Sequence, residues 1–435
     1  MSNSGWMRRV AFAATAMSIV MVSLAACSSS SSKAPAASGQ STSAPTTASQ
    51  STGSTGASQA SLPLTKAPII VGALDEATGL GAANLHFPQF VAPAVVKWIN
   101  AHGGIDGHPL QVDVIDTASM PSNGLADAKK LVEQDHVVAL VGNEDAQVES
   151  TYASYLTAQH IPVIGGEEDT GIWVSTPNFF STSAAGDVGV NSFAYVAQKL
   201  GYTKLGGVTY AGCGPCTAGF KITTQIAPSL GEQFVTSQEV PFAAPSYTAT
   251  CEAFKQGGVQ FVQVALTTTN LEQLYQQCKV LGYTPFWGTQ GSVADGTIGT
   301  GSSAGINAGG EMQAFPWFST APGAADFRAA MAQYAPGQFY ESPGATAVWT
   351  AFMVLRQALL NANVGDTVTS DDVFRGLYTI KGLTLGGLLP EPVTFTQATP
   401  PFQMHCYFLV SQKAGQWSQD GTPCLTNIIS PFTGS

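Results

Sequence analysis

From Lys66 onward the chain alternates between short apolar or β-branched runs and longer stretches with helical periodicity. The clearest short runs are residues 69–74, 110–115, 137–141 and 161–164, followed by 205–210, 233–240 and 259–266. Nearly continuous apolar runs of this length are what parallel strands covered on both faces require. Between the first two runs, Phe87, Phe90, Val91, Ala94, Val95, Trp98 and Ile99 recur at helical spacing and form one apolar face, which Gly103-Gly104 ends. Pro93 lies inside that pattern and predicts either a kink or a later helix start. Further helices are predicted over 124–135, 146–159, 187–200, 216–230, 270–281 and 344–363. Strand–helix alternation with short connections predicts a doubly wound α/β architecture. Two such sets, split near residue 184, predict two Rossmann-like lobes.

Composition narrows the function. At 435 residues and 44% hydrophobic, the chain can fill more than one core, but only 10% of it is charged, against a usual share of ~25%. Seventeen Lys plus Arg face 28 Asp plus Glu, a formal charge of −11. Such a chain lacks the basic field that holds a phosphate backbone, which excludes nucleic acid as a partner. The 46 Gly and 25 Pro imply many sharp turns.

The N-terminus reads as an address. Arg8 and Arg9 precede an uncharged apolar run over residues 10–26, which meets Leu24-Ala-Ala-Cys27. A basic start, an apolar stretch and small residues before a cut site describe a secretory signal over residues 1–26. Leu-Ala-Ala-Cys resembles the bacterial lipobox, so Cys27 is expected to be diacylated and to anchor the protein to the outside of the cell membrane. Two acyl chains hold where one is marginal. Residues 27–66 then form a Ser/Thr/Ala/Pro-rich tether with Lys33 its sole charge before Lys66. No later run is long and apolar enough to span a bilayer.

Setting Cys27 aside leaves six cysteines, an even number suited to an oxidising compartment. Cys406 and Cys424 flank a hairpin whose turn, Lys413-Ala-Gly-Gln416, holds their midpoint, so they are expected to pair. Cys213-Gly-Pro-Cys216 either closes locally and leaves Cys251 for Cys278, or one of its cysteines pairs with Cys251.

Several motifs in order carry a family resemblance. Trp98-Ile-Asn-Ala-His-Gly-Gly-Ile-Asp-Gly-His108 looks like the helix-turn-strand signature of the type I solute-binding proteins of ABC importers, the branched-chain (Leu/Ile/Val) amino-acid-binding group. Thr78-Gly79 after the first strand, Asp116 ending the second, Leu131-Val-Glu-Gln-Asp135, Ile161-Pro-Val-Ile164 and Phe179-Phe180 follow in that family's order. Leu385-Gly-Gly-Leu-Leu-Pro-Glu-Pro-Val-Thr-Phe395 resembles its last crossover before a closing hairpin. The resemblance covers roughly residues 67–430. It implies two lobes joined by three crossovers, with lobe one at 67–184 and about 309–384 and lobe two at about 185–308 and 385–435. It also implies a small polar ligand (an amino acid, amide or related metabolite) caught by hinge closure, an ABC permease as partner, and no cofactor.

In open α/β sheets ligands sit beyond the carboxyl ends of the strands, which singles out loops 75–81, 143–147, 165–170, 210–216, 267–270 and 287–292. These loops hold an unusual share of the chain's few acids: Asp75, Glu76, Glu144, Asp145, Glu167, Glu168 and Asp169. They serve either a ligand ammonium, amide or hydroxyl, or else form a solvated rim or cap helix N-termini favoured by the dipole. Candidate ligand contacts are Asp75, Glu76, Thr78, Gly79, Asn143, Glu144, Glu167, Glu168, Tyr210, Thr267 and Gln290, with Trp287 a second possible stacking ring. The stretch Gly142-Asn143-Glu144-Asp145 departs from amino-acid binders of the family. It has no hydroxyl side chain where they hold the ligand carboxylate, and an acid there repels one.

Catalytic patterns fare less well. Cys213-Gly-Pro-Cys216 matches the thioredoxin dipeptide, but Gly212 stands where thioredoxins carry Trp, leaving a thiol–disulfide oxidoreductase as an alternative to solute binding. A sensor ectodomain of the same fold is another. Gly301-Ser-Ser-Ala-Gly305 matches a nucleophile elbow in letters only, since small residues over 296–310 read as a loop. No Gly-Lys pair exists for a Walker loop. The six His show no metal-binding spacing.

Overall fold

The computed structural model describes residues 63–397, 402–413 and 415–430. The signal segment, Cys27 and all but the end of the tether lie outside these residues.

Two sheets organise the described chain. The first has the order β2-β1-β3-β4-β5, built from β1 (Ile69–Asp75), β2 (Leu110–Asp116), β3 (Leu140–Asn143), β4 (Val163–Gly166) and β5 (Phe179–Phe180), all parallel. The second has the order β12-β11-β10-β9-β8-β6-β7. Its parallel part comprises β6 (Lys204–Tyr210), β7 (Gln233–Val240), β8 (Phe261–Ala265), β9 (Phe286–Thr289) and β10 (Ala308–Met312). The antiparallel hairpin β11 (Phe408–Lys413) and β12 (Gln416–Gly421) closes its edge. Read along the chain, the two parallel parts repeat one winding: the first strand sits between the second and the third. The doubly wound α/β expectation therefore holds in both halves.

Among the described residues, ten α-helices cover the sheets. They are α1 (Pro88–Ala101), α2 (Pro121–Lys129), α3 (Glu149–Ala158), α4 (Gly186–Lys199) and α5 (Gly214–Ile226), then α6 (Thr248–Gly257), α7 (Thr268–Val280), α8 (Pro322–Tyr334), α9 (Pro343–Ala362) and α10 (Ser370–Leu377). On one face of the first sheet Val71, Val141 and Ile164 pack with Val95 of α1 and Val348 and Phe352 of α9. On the other face Leu74, Leu140 and Val163 meet Leu131, Tyr152 and Leu156. The second sheet is covered likewise, with Val208 and Val262 against Phe254 and Leu271 on one side. Leu205 and Phe261 meet Val196 and Ile222 on the other. Two-sided cover is why the central strands read as continuous apolar runs.

The family-like turn has a local cause. Asn100 ends α1 with its amide clamped on β2, Nδ2 donating to the Leu110 carbonyl (2.9 Å) and Oδ1 accepting from its N–H (2.8 Å). Ile105 and His108 then exchange backbone hydrogen bonds at 3.0 Å each. The two residues between them, Asp106 (φ 51°) and Gly107 (φ 81°), adopt the left-handed pair that Asp-Gly supports. Pro93 is accommodated inside α1, which starts at Pro88.

Three helices and two strands were not anticipated. α6, α8 and α10 carry short or interrupted apolar faces. β9 and β10, Phe-Trp-Gly-Thr and Ala-Gly-Gly-Glu-Met, lack β-branched runs. A Cβ on Gly310 would stand 2.1 Å from the Thr289 carbonyl, so the glycine is what lets those two strands approach.

The crossovers also fall later than expected. β10 pairs in the second sheet through Met312, past the boundary at about 309. Leu388, Leu389 and Phe395 pack in the first sheet's core, Phe395 edge-on to Phe180 (centroids 5.2 Å). The chain thus leaves that sheet well after residue 385.

The disulfides are Cys213–Cys216, Cys251–Cys278 and Cys406–Cys424, so the local-closure alternative is the one formed. Cys251–Cys278 ties α6 to α7 across a 27-residue separation. Replacing both cysteines by Ala should lower unfolding free energy by about 3 kcal/mol, read as a lower urea midpoint. An unchanged midpoint would mean that the packing of α6 on α7 suffices.

Candidate ligand-binding cleft

The carboxyl ends of both sheets open on one cavity of about 680 Å³. From the first sheet come Leu80 to Leu85 after β1, Ala146 and Gln147 after β3, and Glu167, Asp169 and Thr170 after β4. From the second come Cys213 and Cys216 after β6, Gln263, Ala265 and Thr267 on and after β8, and Gln290 after β9. Gly186, Val190 and Phe193 of α4 form the wall where the chain passes from one sheet to the other. Three helices begin here: α4 at Gly186, α5 behind its N-cap Cys213, and α7 behind Thr267, whose hydroxyl accepts from Asn270 N–H (3.4 Å). Gly166 sets the approach of the β4 loop. Its φ is +123°, and a Cβ there would lie 1.9 Å from the Asn143 carbonyl, which accepts from Glu167 N–H (2.8 Å).

Asp169 of the acidic loops and the Cys213–Cys216 pair line this cavity, and of the candidate ligand contacts read from sequence Glu167, Thr267 and Gln290 do so. The others lie outside the lining, engaged with protein groups. Asp75 Oδ2 accepts from Gln89 N–H at the start of α1 (3.0 Å), and Glu144 Oε2 from Phe87 N–H (3.3 Å). Glu76 takes Ser119 Oγ (2.6 Å) and Gln147 N–H (2.9 Å). Thr78 donates to Asp116 (2.7 Å), and Gly79 packs on the Ala118 carbonyl. Asn143 links Leu74 N–H (3.1 Å) to the Tyr152 hydroxyl (3.3 Å). Glu168 Oε1 pins the crossover through Thr182 N–H (2.7 Å) and Ser183 N–H (3.1 Å). The Tyr210 hydroxyl accepts from Thr267 N–H (2.9 Å), and its ring packs on Phe242 (4.9 Å) rather than on open space. Trp287 is buried in the second sheet's core. Ser303 of the elbow-like pentapeptide is buried and bonded to Glu272 (3.0 Å), with no strand leading into it. Asn84, Gln147, Thr170 and Gln263 line the cavity without having been anticipated. Only the strand-end position of their loops hinted at them.

A sequence profile described as periplasmic binding protein matches residues 68–416. The chain belongs to that family. Several solved binding proteins share the fold at low identity. A branched-chain amino-acid ABC transporter protein from Thermus thermophilus with bound valine is 16% identical, with a TM-score of 0.67 over 83% of this chain and 97% of that one. A LivJ substrate-binding protein from Streptococcus pneumoniae in complex with isoleucine is 18% identical, with a TM-score of 0.64 over 82% and 99%. A solute-binding protein from Rhodopseudomonas palustris in complex with 3,4-dihydroxybenzoic acid is 17% identical, with a TM-score of 0.63 over 82% and 97%. No curated protein sequence is significantly similar to this chain. The type I periplasmic binding fold places it among extracytoplasmic proteins. Among the described residues no helix is long and apolar enough to cross a membrane.

This periplasmic binding protein buries its carboxyl groups without cations. The ion pairs among the described residues, Lys66–Asp106, Lys130–Asp135, His160–Asp371 and Arg375–Asp372, all lie elsewhere. Burial therefore dominates their titration. It raises Asp75 from 3.8 to about 7, with the Asp116 and Glu76 charges adding to the shift. It raises Glu149 from 4.5 to about 7, and Glu168 and Glu311 to about 8. Glu144, Asp145 and Glu167 are pushed well above the usual range, again chiefly by burial.

The consequence for stability has a definite sign. The unfolded chain ionises these groups near 4, whereas the folded one keeps the protons of Asp75 and Glu149 to about 7 and those of Glu168 and Glu311 to about 8, so stability is full at acid pH and is lost as pH rises between those limits. Tm should climb by several degrees between about pH 8 and about pH 4.5, and Glu144→Gln should raise Tm at pH 8 more than at pH 5. A Tm that falls on acidification would show these carboxyls to be ionised in the folded protein.

Proposed function

We propose that this protein captures a small polar solute between its two lobes and delivers it to an ABC importer, as an extracytoplasmic protein anchored through diacylated Cys27. The observation that carries the reading is the cavity itself, whose walls come from the strand ends of both sheets. A solute held by both walls stabilises the closed arrangement by contacts the open one lacks, and a permease can distinguish the two. Lobe one comprises the first sheet with the segment from α8 to about Phe395. Lobe two comprises the second sheet and its closing hairpin. Glu167, Thr267 and Gln290 are the sequence-derived contacts that this reading retains, and Asp169, Gln147 and Gln263 join them. The related proteins with bound valine, isoleucine and dihydroxybenzoic acid support capture of a small solute. The role is binding and not catalysis.

Full-length protein should show a saturable thermal shift with one chemical class from a panel of amino acids, amides, amines, aromatic acids and sugars. A ligand at 100 times its Kd adds ~2.7 kcal/mol. Ala265→Phe, which fills the cavity, should abolish that shift while leaving the unliganded Tm within a few degrees. An unaltered shift would place the ligand elsewhere. Cys27→Ser should move the protein from the membrane fraction to the medium or periplasmic extract, and persistence in the membrane would refute the anchor.

A further inference from the structure

Glu167 and Asp169 are the cavity's ionisable lining groups, and among the described residues no Lys, Arg or His reaches it. Burial already favours the protonated form of Glu167, and the Asp169 carboxyl stands near enough for its charge to raise Glu167 further. Glu144 adds its charge to Glu167 from β3, and Glu311 faces Asp169 from β10.

Around them, two amide oxygens and one carboxyl oxygen have no partner. Gln313 Nε2 donates to Glu167 Oε2 (3.3 Å), leaving Gln313 Oε1 unpartnered in a residue only 1% exposed. Glu311, also 1% exposed, accepts from Gly291 N–H through Oε2 (2.8 Å) and has nothing at Oε1. Gln290 Oε1 is unpartnered as well. These atoms converge on bare backbone. A Cβ on Gly291 would stand 3.5 Å from Asp169 Oδ2 and 3.9 Å from Gln313 Oε1. One on Gly189 would stand 3.4 Å from Glu311 Oε2 and 3.6 Å from Gln290 Oε1. Buried acceptors left open are costly unless a donor arrives. A carboxylate ligand would bring more acceptors and meet two acids with no cation to offset them. Leu85, Val190 and Phe193 supply an apolar wall beside this acceptor cluster.

We propose, resting on the solute-capture reading, that the ligand is an organic amine or amidine cation with an apolar body and no carboxylate, its N–H donors taken by Glu167, Asp169 and the neighbouring amide oxygens. The cation replaces the proton that burial keeps on the Glu167 carboxyl, and that proton leaves to solvent for each cation bound.

The test is calorimetric titration of the full-length protein with benzylamine, phenethylamine and agmatine against benzoate, valine and benzyl alcohol. Each is run at pH 6 and pH 8 in two buffers of different ionisation enthalpy. At least one amine should bind, release close to one proton, and bind ten-fold or more tighter at pH 8 than at pH 6. Glu167→Gln and Asp169→Asn should each weaken it ten-fold or more and remove the proton release, while Glu272→Gln, outside the cavity, should change neither. Tighter binding of benzoate or valine than of every amine would overturn the ligand class and leave solute capture standing, and amine binding without proton release would overturn the exchange of cation for proton. Silence from all six probes with folded protein would overturn both.

Discussion

Buried carboxyl groups bonded to backbone N–H donors hold the strand-end loops of this protein in place. A helix start leaves N–H groups without intrahelical partners, and a chain crossing between lobes leaves more. With so few cations, the fold meets these donors with acids: Asp75 and Glu144 at the head of α1, Glu76 at Gln147, and Glu168 at the crossover through Thr182 and Ser183. Remove this arrangement and loops that must face a ligand have nothing to set their shape.

The same choice shapes the molecule's electrostatics. Carboxyls that bond to neutral N–H groups inside an apolar surround keep their protons well above the usual range, because desolvation outweighs those bonds. The protein thus combines a strongly acidic composition with a site region that carries less charge than its formula suggests. Deeper acids fix the loops, and the next ones outward, Glu167 and Asp169, are left to face the cavity. Structural and cavity-facing acids sit within a few residues of one another, and only their partners tell them apart.

The crossovers bring that cluster together. Ala184 N–H of the first crossover donates to the Gln313 carbonyl of the second (3.0 Å), so two inter-lobe segments are joined there. Gln313 reaches from this junction to Glu167, and Glu311 holds the turn at Gly291. Glu391 performs a similar service at the return to the hairpin, accepting from Cys406 N–H (3.0 Å).

Period and punctuation in the sequence determined the two doubly wound sheets, the central strands, most helices and the loops that would face a ligand. They did so because continuous apolar runs and helical spacing are local records of burial on both faces. Gly103-Gly104 was legible as the end of α1, and the turn from Asn100 to Gly107 only through its resemblance to a family signature; the clamp of Asn100 on Leu110 had no sign of its own. β9 and β10 were not legible, because Gly309 and Gly310 are dictated by neighbouring strands rather than by any propensity of their own. The capping pair Thr369 and Asp372 of α10 stood in the sequence and was overlooked beside stronger patterns. Which of the strand-end acids would bond to backbone and which would meet the cavity was decided only by the tertiary structure. Each side chain's partners, Gln89 for Asp75, Thr182 for Glu168 and Gln313 for Glu167, lie on elements that folding alone brings near, and hydrogen bonds across that separation leave no trace in sequence spacing.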